Sequence, residues 1–565
     1  MFCSPGWTRF LRYIPSDSER AQKVLKIGLH IQRIGEIMSG RRYSRVISGV
    51  AVLALFVAAC GGSSSSTDTS GSSDTGGSSD STVASSPADN DLTATMTVGL
   101  DAEPSSLDPA GDSLSLANGS VYDGIFEALM VGDYTEAPTP WLAKTVTESA
   151  DRLSWTLVVQ DGVTFHDGTP FDAAAVKFNL ERQRVSAYNG SGLKNITAVD
   201  VVDPMTVKIT LAVAWTAFPN VLSGINGVMV SPASAADPEK VKRNPVGTGP
   251  FTFTEWIPAD HILLTRNDTY WGENKAQLAS LTYKFVTDET ARLTALIAGD
   301  LDAMTTIVSA SVKEADSKGF QISIPPVSGY GNIHLNNKKP GLDDARVRRA
   351  LEMSIDRDAL KDAFDYFGYD TESGTPISMT SRWYSAPATA NKFDPEGAKA
   401  LLADYGKPVK FTIELLQGSQ STVDALAAIV DYWKQVGIEA TVKMVPDLTT
   451  YVVSVITGAY DAVAWLAGEG SDPDSSLYAM LHTGGPSNYS VFSNPDMDAA
   501  LDEGRSAPDE ATRMAAYAKA QDLFHSQMPY IVLTHGQVRI LATKDVTGLT
   551  QAAFFPSRTA GKKAK

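Results

Sequence analysis

Predicted helices and short apolar strands alternate along the C-terminal half of this chain, and this alternation limits its fold more than any other feature. Residues 394–406 predict a helix, because an aspartate can cap the first turn, a proline follows it, and a glycine closes the last turn. Apolar residues at helical spacing predict a second helix over 422–436. The apolar runs 438–445 and 460–467 predict strands. Such alternation is typical of an α/β fold, in which helices cover the faces of a sheet.

The N-terminal half shows the same mixture of patterns. Alternating apolar and polar residues predict a strand over 95–100. The runs 154–159 and 163–165 flank an Asp-Gly pair at 161–162, which is typical of a tight turn, so they predict a β-hairpin. A helix is predicted over 173–184, where the preceding aspartate can cap the first turn.

A short apolar run ends in the tetrapeptide Val-Ala-Ala-Cys at 57–60, and a tract rich in Gly and Ser follows directly. Arginines between 41 and 45 precede the uncharged run 46–59, which is shorter than the roughly 20 residues of a membrane-spanning helix. These features are typical of a cleaved export signal. The tetrapeptide also resembles the lipobox of bacterial lipoproteins, in which the signal is cut before the cysteine and the cysteine is acylated. We therefore expect a lipid on Cys60; the alternative is a plain secretory signal with an incidental cysteine.

The segments around this signal follow from the same pattern. Residues 1–37 are expected to be an over-called N-terminal extension, because Met38 is a natural start for a signal peptide at 38–59. Residues 60–91 are mostly Ser, Gly, Thr and Asp without apolar periodicity, so they predict a disordered tether. We expect an exported protein that is held at the outer face of the cytoplasmic membrane through Cys60.

Composition excludes several classes of site and partner. The only cysteines are Cys3 and Cys60, so the body after the signal has no disulfide, no thiol nucleophile and no cysteine-ligated metal. The formal net charge is −17, which argues against binding to nucleic acid or to anionic lipid headgroups. Acyl chains on Cys60 would supply the membrane attachment instead.

The tripeptide His166-Asp167-Gly168 invites a catalytic or metal-binding interpretation. It lies in a predicted turn, however, where Asp and Gly are expected for backbone reasons. The 7 histidines form no helical pair and no cluster with carboxylates at metal-ligand spacing. The Gly-rich segment 247–250 ends in a proline, which removes an amide that a phosphate-binding loop would use. We predict no catalytic residues, no cofactor and no metal site.

Seven sequence blocks keep a fixed order between about residues 95 and 545. The blocks are Pro-x-Ser-Leu-Asp-Pro at 104–109, Asp-Gly-Val-Thr-Phe-His-Asp-Gly-Thr-Pro-Phe at 161–171, Pro-Val-Gly-Thr-Gly-Pro-Phe at 245–251, Asn-Asp-x-Tyr-Trp-Gly at 267–272, and the segments 296–302, 347–357 and 394–402. Together they resemble the signature blocks of the family-5 extracellular solute-binding proteins of ABC importers. That family includes oligopeptide-, dipeptide- and nickel-binding proteins.

This resemblance implies an α/β architecture, the two-lobe periplasmic-binding-protein-like fold of type II, with an extra subdomain and a hinge between the lobes. Lobe I is then expected over 92–325, with the inserted subdomain at about 134–240, and lobe II over 328–530. Residues 531–565 are expected to return to lobe I and to form the C-terminal tail.

The resemblance also implies a function. We expect a lipid-anchored, monomeric receptor that captures a solute between its lobes and delivers it to the membrane permease of an ABC importer. A short peptide is the preferred solute, and a nickel chelate, an oligosaccharide, an opine or haem are alternatives in the same fold. The alternative from another class is a signalling or adhesion lipoprotein that does not transport.

Peptide-binding members of the family carry a tryptophan followed three residues later by an aspartate that pairs with the α-ammonium group of the ligand. Trp465 matches the tryptophan, but Gly468 stands where the aspartate is expected, and the loop to Pro473 is one residue longer. Counting back from Pro473 places Glu469 at the anchor position. We expect Trp465 to line the cleft and Glu469 to pair with a ligand ammonium, if there is one. Asp472 is a further ligand candidate, although capping the following helix is its preferred role.

Three more candidates are consecutive. Arg382, Trp383 and Tyr384 fall where family members place ligand-contacting side chains. The two aromatic faces would suit stacking, and the arginine could pair with a peptide carboxylate. The strand 330–336 follows the presumed hinge, and its polar residues are either cleft-facing or, more often in such strands, structural. The loop 103–108 is a weaker candidate from lobe I.

Overall fold

The structure is a computed structural model. It describes residues 90–132, 136–323, 329–360, 374–388, 392–417, 420–468, 470–536, 538–549 and 555–563. The predictions for 1–37 and 38–59, for Cys60 and almost all of the predicted tether, and for Glu469 lie outside the described residues.

The strands of the described residues are numbered in chain order. They are β1 Thr95–Leu100, β2 Glu127–Ala128, β3 Met130–Val131, β4 Thr139–Pro140, β5 Ala143–Glu148, β6 Ser154–Val159, β7 Ile196–Asp203, β8 Thr206–Leu211, β9 Val228–Met229, β10 Phe251–Ile257, β11 His261–Arg266, β12 Ser280–Phe285, β13 Ala303–Thr306, β14 Gln321–Ser323, β15 Gly329–Leu335, β16 Val409–Leu416, β17 Ile438–Val445, β18 Ala462–Gly468, β19 Tyr530–Gly536, β20 Arg539–Ala542, β21 Val546–Thr547 and β22 Gly561–Lys562.

The α-helices are numbered in the same way. They are α1 Leu116–Ile125, α2 Ala173–Arg184, α3 Phe218–Ser223, α4 Pro232–Ala235, α5 Pro238–Val241, α6 Glu289–Ala298, α7 Ser309–Ser317, α8 Ala345–Met353, α9 Arg357–Leu360, α10 Pro395–Tyr405, α11 Gln420–Gln435, α12 Leu448–Thr457, α13 Ala479–Leu481, α14 Pro495–Ser506 and α15 Glu510–Gln527. Among the described residues, no helix combines the length and the apolar character needed to cross a membrane.

Local sequence signals set several helix ends. Asp172 accepts a hydrogen bond from the amide of Ala175 at 2.9 Å and so caps α2, as predicted. Asp394 caps α10 in the same way, and Pro395 occupies its first position. Gly406 ends α10 with φ at 74°, in the left-handed region that glycine adopts without steric cost. These helix boundaries follow from short-range chemistry.

Lobe I is built on a seven-stranded sheet with the order β10-β11-β12-β1-β13-β20-β14. The strands β12, β1 and β13 at its centre are parallel, and β1 coincides with the predicted strand. Met96, Val98 and Leu100 on β1 are fully buried, because alternate residues of a strand point to the same face. Their burial anchors β1 in the core of lobe I.

An inserted subdomain carries its own antiparallel sheet, with the order β5-β6-β8-β7 and α2 packed against it. The predicted hairpin between β6 and residues 163–165 is wrong. The turn does form, with Gly162 at φ 74°, but both edges of β6 are occupied by β5 and β8. Thr164 instead forms an isolated bridge with Pro170. Pairing between distant strands therefore overrode the local hairpin signal.

Lobe II is built on a five-stranded sheet with the order β17-β16-β18-β15-β19. The strands β16, β17 and β18 are parallel, whereas β15 runs antiparallel to both β18 and β19. β17 coincides with the predicted run 438–445, and β18 lies slightly C-terminal to the predicted run 460–467. The predicted α/β class is confirmed.

The position of the cleft follows from the two sheets. The chain crosses between them twice, from β14 to β15 and from β19 to β20. In lobe I both crossings lie at the edge of the sheet where β13 ends, because Thr306, the last residue of β13, pairs with Arg539, the first residue of β20. In lobe II both crossings lie at the edge of the sheet where β18 ends, because Gly468, the last residue of β18, pairs with Gly329, the first residue of β15. The carboxyl ends of both sets of parallel strands therefore face the crossings, and ligands of open α/β sheets bind at such edges.

Candidate ligand cleft

The loop after β1 contributes to the lobe I side of the cleft. Glu103 accepts hydrogen bonds from the indole nitrogen of Trp256 at 2.8 Å and from the amide of Ala259 at 3.0 Å. Asp108, later in the same loop, is buried and pairs with Arg182. Both carboxylates have partners within lobe I, which favours a structural role for the candidate loop 103–108.

Trp465 lies on β18, three residues before the end of that strand at the cleft. Its partly buried ring packs between Tyr451 and Tyr489, with ring centroids 5.6 and 6.0 Å away. Across the antiparallel ladder, Trp465 pairs with Asn332 on β15. The ring is partly exposed on a strand that ends at the cleft, and a ligand contact by Trp465 stays a prediction.

Two polar residues of β15 lie on the same face of the lobe II sheet, beside Trp465. Asn332 and His334 are both buried, and they share a face because side chains alternate along a strand. The Nδ1 atom of His334 lies 2.8 Å from the hydroxyl of Ser490. Burial lowers the pKa of His334 to about 3, so its imidazole is neutral at physiological pH.

The three consecutive candidates pack against the body of lobe II. Trp383 is 3% exposed, and the guanidinium groups of Arg382 and Arg513 lie 4.4 and 4.6 Å from its ring centre. Arg382 also pairs with Glu510 at 2.9 Å. Tyr384 is partly buried against the same core. Ligand contacts by these residues stay predictions, and the packing of Trp383 and Arg382 favours structural roles.

Asp472 is buried between the lobes. The Nη2 atom of Arg513, from lobe II, donates to both carboxylate oxygens of Asp472 at 2.8 and 2.9 Å. The side-chain amide of Asn220, from the inserted subdomain, donates to the same carboxylate at 2.9 Å. Burial raises the pKa of Asp472, and the charge of Arg513 opposes that rise. Asp472 also accepts a hydrogen bond from the amide of Asp474 at 3.0 Å. It is not the cap residue that was predicted, because Pro473 occupies the cap position of the helical turn Asp474–Tyr478.

Asp474 makes a second contact across the lobes. Its carboxylate accepts hydrogen bonds from the indole nitrogen of Trp215 and from Nε of Arg505, both at 2.6 Å. Trp215 belongs to the inserted subdomain and Arg505 to lobe II. Next to this pair, Thr216 donates its amide to the carbonyl of Arg505 at 3.0 Å and its hydroxyl to the carbonyl of Ala507 at 2.8 Å.

We call this set of contacts the cross-lobe latch; its members are Trp215, Thr216 and Asn220 of the subdomain and Asp472, Asp474, Arg505 and Ala507 of lobe II. Each of its contacts joins the subdomain to lobe II, so a rotation that separated these two parts would break them. Sequence reasoning identified Asp472 but not its partner Asn220, because the two residues are distant in the chain. The Asp-Pro-Asp motif at 472–474 was the available signal.

The tripeptide His166-Asp167-Gly168 forms a turn that packs against the Gly-rich segment, which is the structural role that its sequence favoured. Nε2 of His166 lies 2.9 Å from the carbonyl oxygen of Gly249, and Gly168 takes φ 80° in a turn. Gly247 lies so close to α1 that an added Cβ would be 2.1 Å from the carbonyl oxygen of Ile125. Close backbone packing thus accounts for the glycine at 247.

Two of the signature blocks converge on one buried carboxylate, that of Glu127. It accepts hydrogen bonds from donors that come from four separate segments of lobe I. The donors are Trp141 Nε1 at 2.8 Å, Thr248 Oγ1 at 2.7 Å, Tyr270 OH at 2.6 Å, Trp271 Nε1 at 2.7 Å and Arg558 Nη1 at 3.2 Å. The family signatures at 245–251 and 267–272 therefore hold lobe I together. Among the described residues, no group of three or more His, Cys, Asp or Glu side chains could hold a metal ion.

The sequence and the fold are both similar to those of known proteins. The glutathione-binding protein GsiB of Pectobacterium atrosepticum is 30% identical over 466 residues, which cover 78% of this chain and 89% of that protein. DppA of Helicobacter pylori, solved in complex with the peptide STSA, superimposes with a TM-score of 0.71 at 23% identity, over 84% of this chain and 99% of that one.

AgaA of Agrobacterium tumefaciens R10, solved in complex with agropinic acid, superimposes with a TM-score of 0.70 at 26% identity. The likeness covers 83% of this chain and 99% of that one. Residues 137–488 match the profile of the bacterial extracellular solute-binding proteins, family 5 Middle. The chain therefore belongs to the family-5 extracellular solute-binding proteins, the solute receptors of ABC importers.

Proposed function

We propose that this receptor binds a short peptide between its two lobes and delivers it to the permease of its importer. The observation that carries this proposal is the likeness to GsiB, because it spans most of both chains and glutathione is itself a small peptide. The complex of DppA with the peptide STSA supports the same class of solute. The partly exposed face of Trp465 beside the cleft fits a ligand with apolar side chains.

In this proposal the ligand ammonium group is held by Glu469. The supporting argument is its position in the loop between Trp465 and Pro473, one residue later than the aspartate of peptide-binding relatives. A charge-assisted hydrogen bond at this place would fix the direction in which the peptide lies. Asp472 is less suited to that role, because Arg513 and Asn220 already occupy its carboxylate.

An opine is the second candidate solute. The complex of AgaA with agropinic acid supports it, as does Gly468 at the position where peptide-binding relatives carry aspartate. A nickel chelate, an oligosaccharide and haem remain possible outcomes of a binding test. A signalling or adhesion lipoprotein would bind a solute without transporting it, so solute uptake by cells that carry or lack the gene separates that function from import.

We further propose that the receptor acts as a monomer anchored by an acylated Cys60 at the outer face of the membrane. The lipobox-like tetrapeptide at 57–60 and the Gly- and Ser-rich segment after it support this anchoring. A flexible tether of about 30 residues would span roughly 30 Å, enough for the body to reach a neighbouring permease. Mass spectrometry of the membrane-bound form tests the anchor directly, because acylation adds a defined mass to the peptide that starts at Cys60.

Native mass spectrometry of the protein from its own host tests the nature of the solute. Short peptides should co-purify, and they should raise the melting temperature of the stripped protein. A ligand at 100 times its Kd stabilises the folded state by about 2.7 kcal/mol. Glu469→Ala should abolish this gain, whereas Glu439→Ala, an exposed control on β17, should preserve it. An opine or a metal chelate in place of peptides would overturn the peptide proposal.

A further inference from the structure

The side chain of Asn332 lies at the centre of the lobe II sheet without satisfying its hydrogen-bonding groups. The residue is 1% exposed, and neither its amide nitrogen nor its amide oxygen has a hydrogen-bond partner in the described part of the chain. Buried polar groups in folded proteins are almost always paired, so an exception needs an explanation. A bound ligand group that is absent from the structure is one explanation of this kind.

A nearby asparagine shows what a purely structural side chain looks like in this fold. Asn336, just after β15, donates from its side-chain amide to the carbonyl oxygens of Gly458 at 3.1 Å and Tyr460 at 3.0 Å. Asn332 lies mid-strand, and the main chains of β18 and β19 pair on either side of it. The side chain of Asn332 therefore makes no hydrogen bonds comparable to those by which the side chain of Asn336 stabilises its loop.

Aromatic side chains flank Asn332 and His334 on this face of the sheet. Across the ladder it pairs with Trp465, the partly exposed residue near the cleft. His334 follows it on the same face, 5.8 Å from the ring of Tyr489 and 5.2 Å from that of Tyr530. The Nε2 atom of His334 has no hydrogen-bond partner among the described residues either. The amide of Asn332 and the Nε2 atom of His334 are thus unpaired polar groups next to aromatic side chains.

The chemistry of these groups limits what could pair with them. Asn332 offers a carbonyl acceptor and an NH₂ donor, and neutral His334 offers one further ring nitrogen. Burial is the cause of the lowered pKa of His334, so an ionised ligand group in contact with this ring would lose much of its hydration. A neutral group that both donates and accepts, such as a carboxamide, fits this set of groups.

We propose that Asn332 and His334 form the floor of a specificity pocket that receives the carboxamide side chain of a bound peptide, entering past Trp465. The pocket would distinguish glutamine or asparagine from apolar and acidic residues, because a site built to hydrogen-bond one group rejects analogues that leave its own polar atoms unpaired. This inference rests on the proposed peptide solute and adds a preference for one class of side chain.

Two leucine variants test the state of the unliganded site by thermal unfolding of the purified protein. Asn332→Leu removes no hydrogen bond, so its melting temperature should equal or exceed that of the wild type. Asn336→Leu, the matched control, leaves two carbonyl oxygens without their donor and should melt at a lower temperature. A fall in melting temperature for Asn332→Leu as large as for the control would mean that buried water or protein satisfies Asn332, and would overturn the pocket.

Calorimetric titration with alanine-based tripeptides tests the preference. Each tripeptide carries Gln, Glu or Leu at one of its positions. Wild-type protein should bind one Gln peptide at least tenfold more tightly than its Glu and Leu counterparts, and Asn332→Leu or the smaller Asn332→Ser should lose that preference. If peptides bind but the Gln preference is missing, the pocket is wrong and the proposed function stands. If no tripeptide binds the wild type, the peptide function itself fails.

Discussion

Replacing Trp215 by phenylalanine should weaken solute binding although Trp215 need not touch the solute. The variant keeps an aromatic ring in the core of the subdomain and removes the indole N–H that donates to Asp474 at 2.6 Å across the lobes. Asp474 remains paired with Arg505, so no buried charge loses its counter-ion. The perturbation is therefore confined to one bond of the cross-lobe latch.

The magnitude follows from the kind of bond that is lost. A hydrogen bond to a charged group contributes about 1.5–3 kcal/mol, which corresponds to roughly a 10- to 150-fold change in an equilibrium constant. Opening the lobes would break this bond, so the variant should disfavour the closed state by that factor. If the protein is mainly open without solute, its apparent affinity should fall by the same factor.

Isothermal titration calorimetry with the co-purified solute measures this loss, and Trp155→Phe is its matched control. Trp155 lies in the same subdomain core, 6.1 Å from the ring of Phe218, and its indole nitrogen has no hydrogen-bond partner within the described residues. The control should bind within about twofold of the wild type, because it removes no contact between the lobes. Equal affinities for Trp215→Phe and Trp155→Phe would refute the latch.

Three other predictions concern stability, and urea unfolding checks each of them. Glu127→Gln should lower the free energy of unfolding by about 3 kcal/mol or more, because several buried donors lose a charged acceptor; a change below 1 kcal/mol would contradict this role. Gly247→Ala should destabilise strongly, because its Cβ would overlap a carbonyl oxygen of α1. Gly224→Ala should be tolerated, because its Cβ would lie 3.9 Å from the carbonyl oxygen of Val221, an ordinary contact distance. Burial lowers the pKa of His334 from 6.5 to about 3. As the pH falls, the unfolded chain therefore binds a proton at this histidine before the folded protein does. Up to about 1.4 kcal/mol of stability is lost per pH unit as the pH falls from 6.5 towards 3. His334→Gln should reduce that slope, and an unchanged slope would contradict the assignment.

Local chemistry made much of the fold predictable. The caps at Asp172 and Asp394 and the closing glycine at 406 lie within a few residues of the helix ends that they determine. The failed hairpin shows the limit of such signals, because the edges of β6 are occupied by β5 and β8, and the pairing with β8 bridges some 50 residues. Strand pairing is decided by the competition among all edges of a sheet, which a local turn signal does not contain.

The site was less predictable than the fold, for the same physical reason. The sequence predicted a strand that contains Trp465, and the structure has that strand, whereas a ligand contact by Trp465 stays a prediction. It offered Asp472 as a cap or a ligand contact, but the partner Asn220 lies some 250 residues away in another subdomain. Asn332 is one of three polar residues in the predicted strand 330–336, and only the three-dimensional surroundings reveal that its amide is unpaired.

Closure of the lobes around a peptide is the central claim of this account, and energy transfer between two labels tests it most directly. Lys144→Cys in the subdomain and Lys410→Cys in lobe II are exposed labelling positions. Replacing Cys3 and Cys60 by serine leaves no other cysteine in the chain. Addition of a mixture of di- and tripeptides that includes glutathione should change the transfer efficiency in a saturable way, and less readily in Trp215→Phe. An efficiency that does not respond to any peptide would contradict the claim.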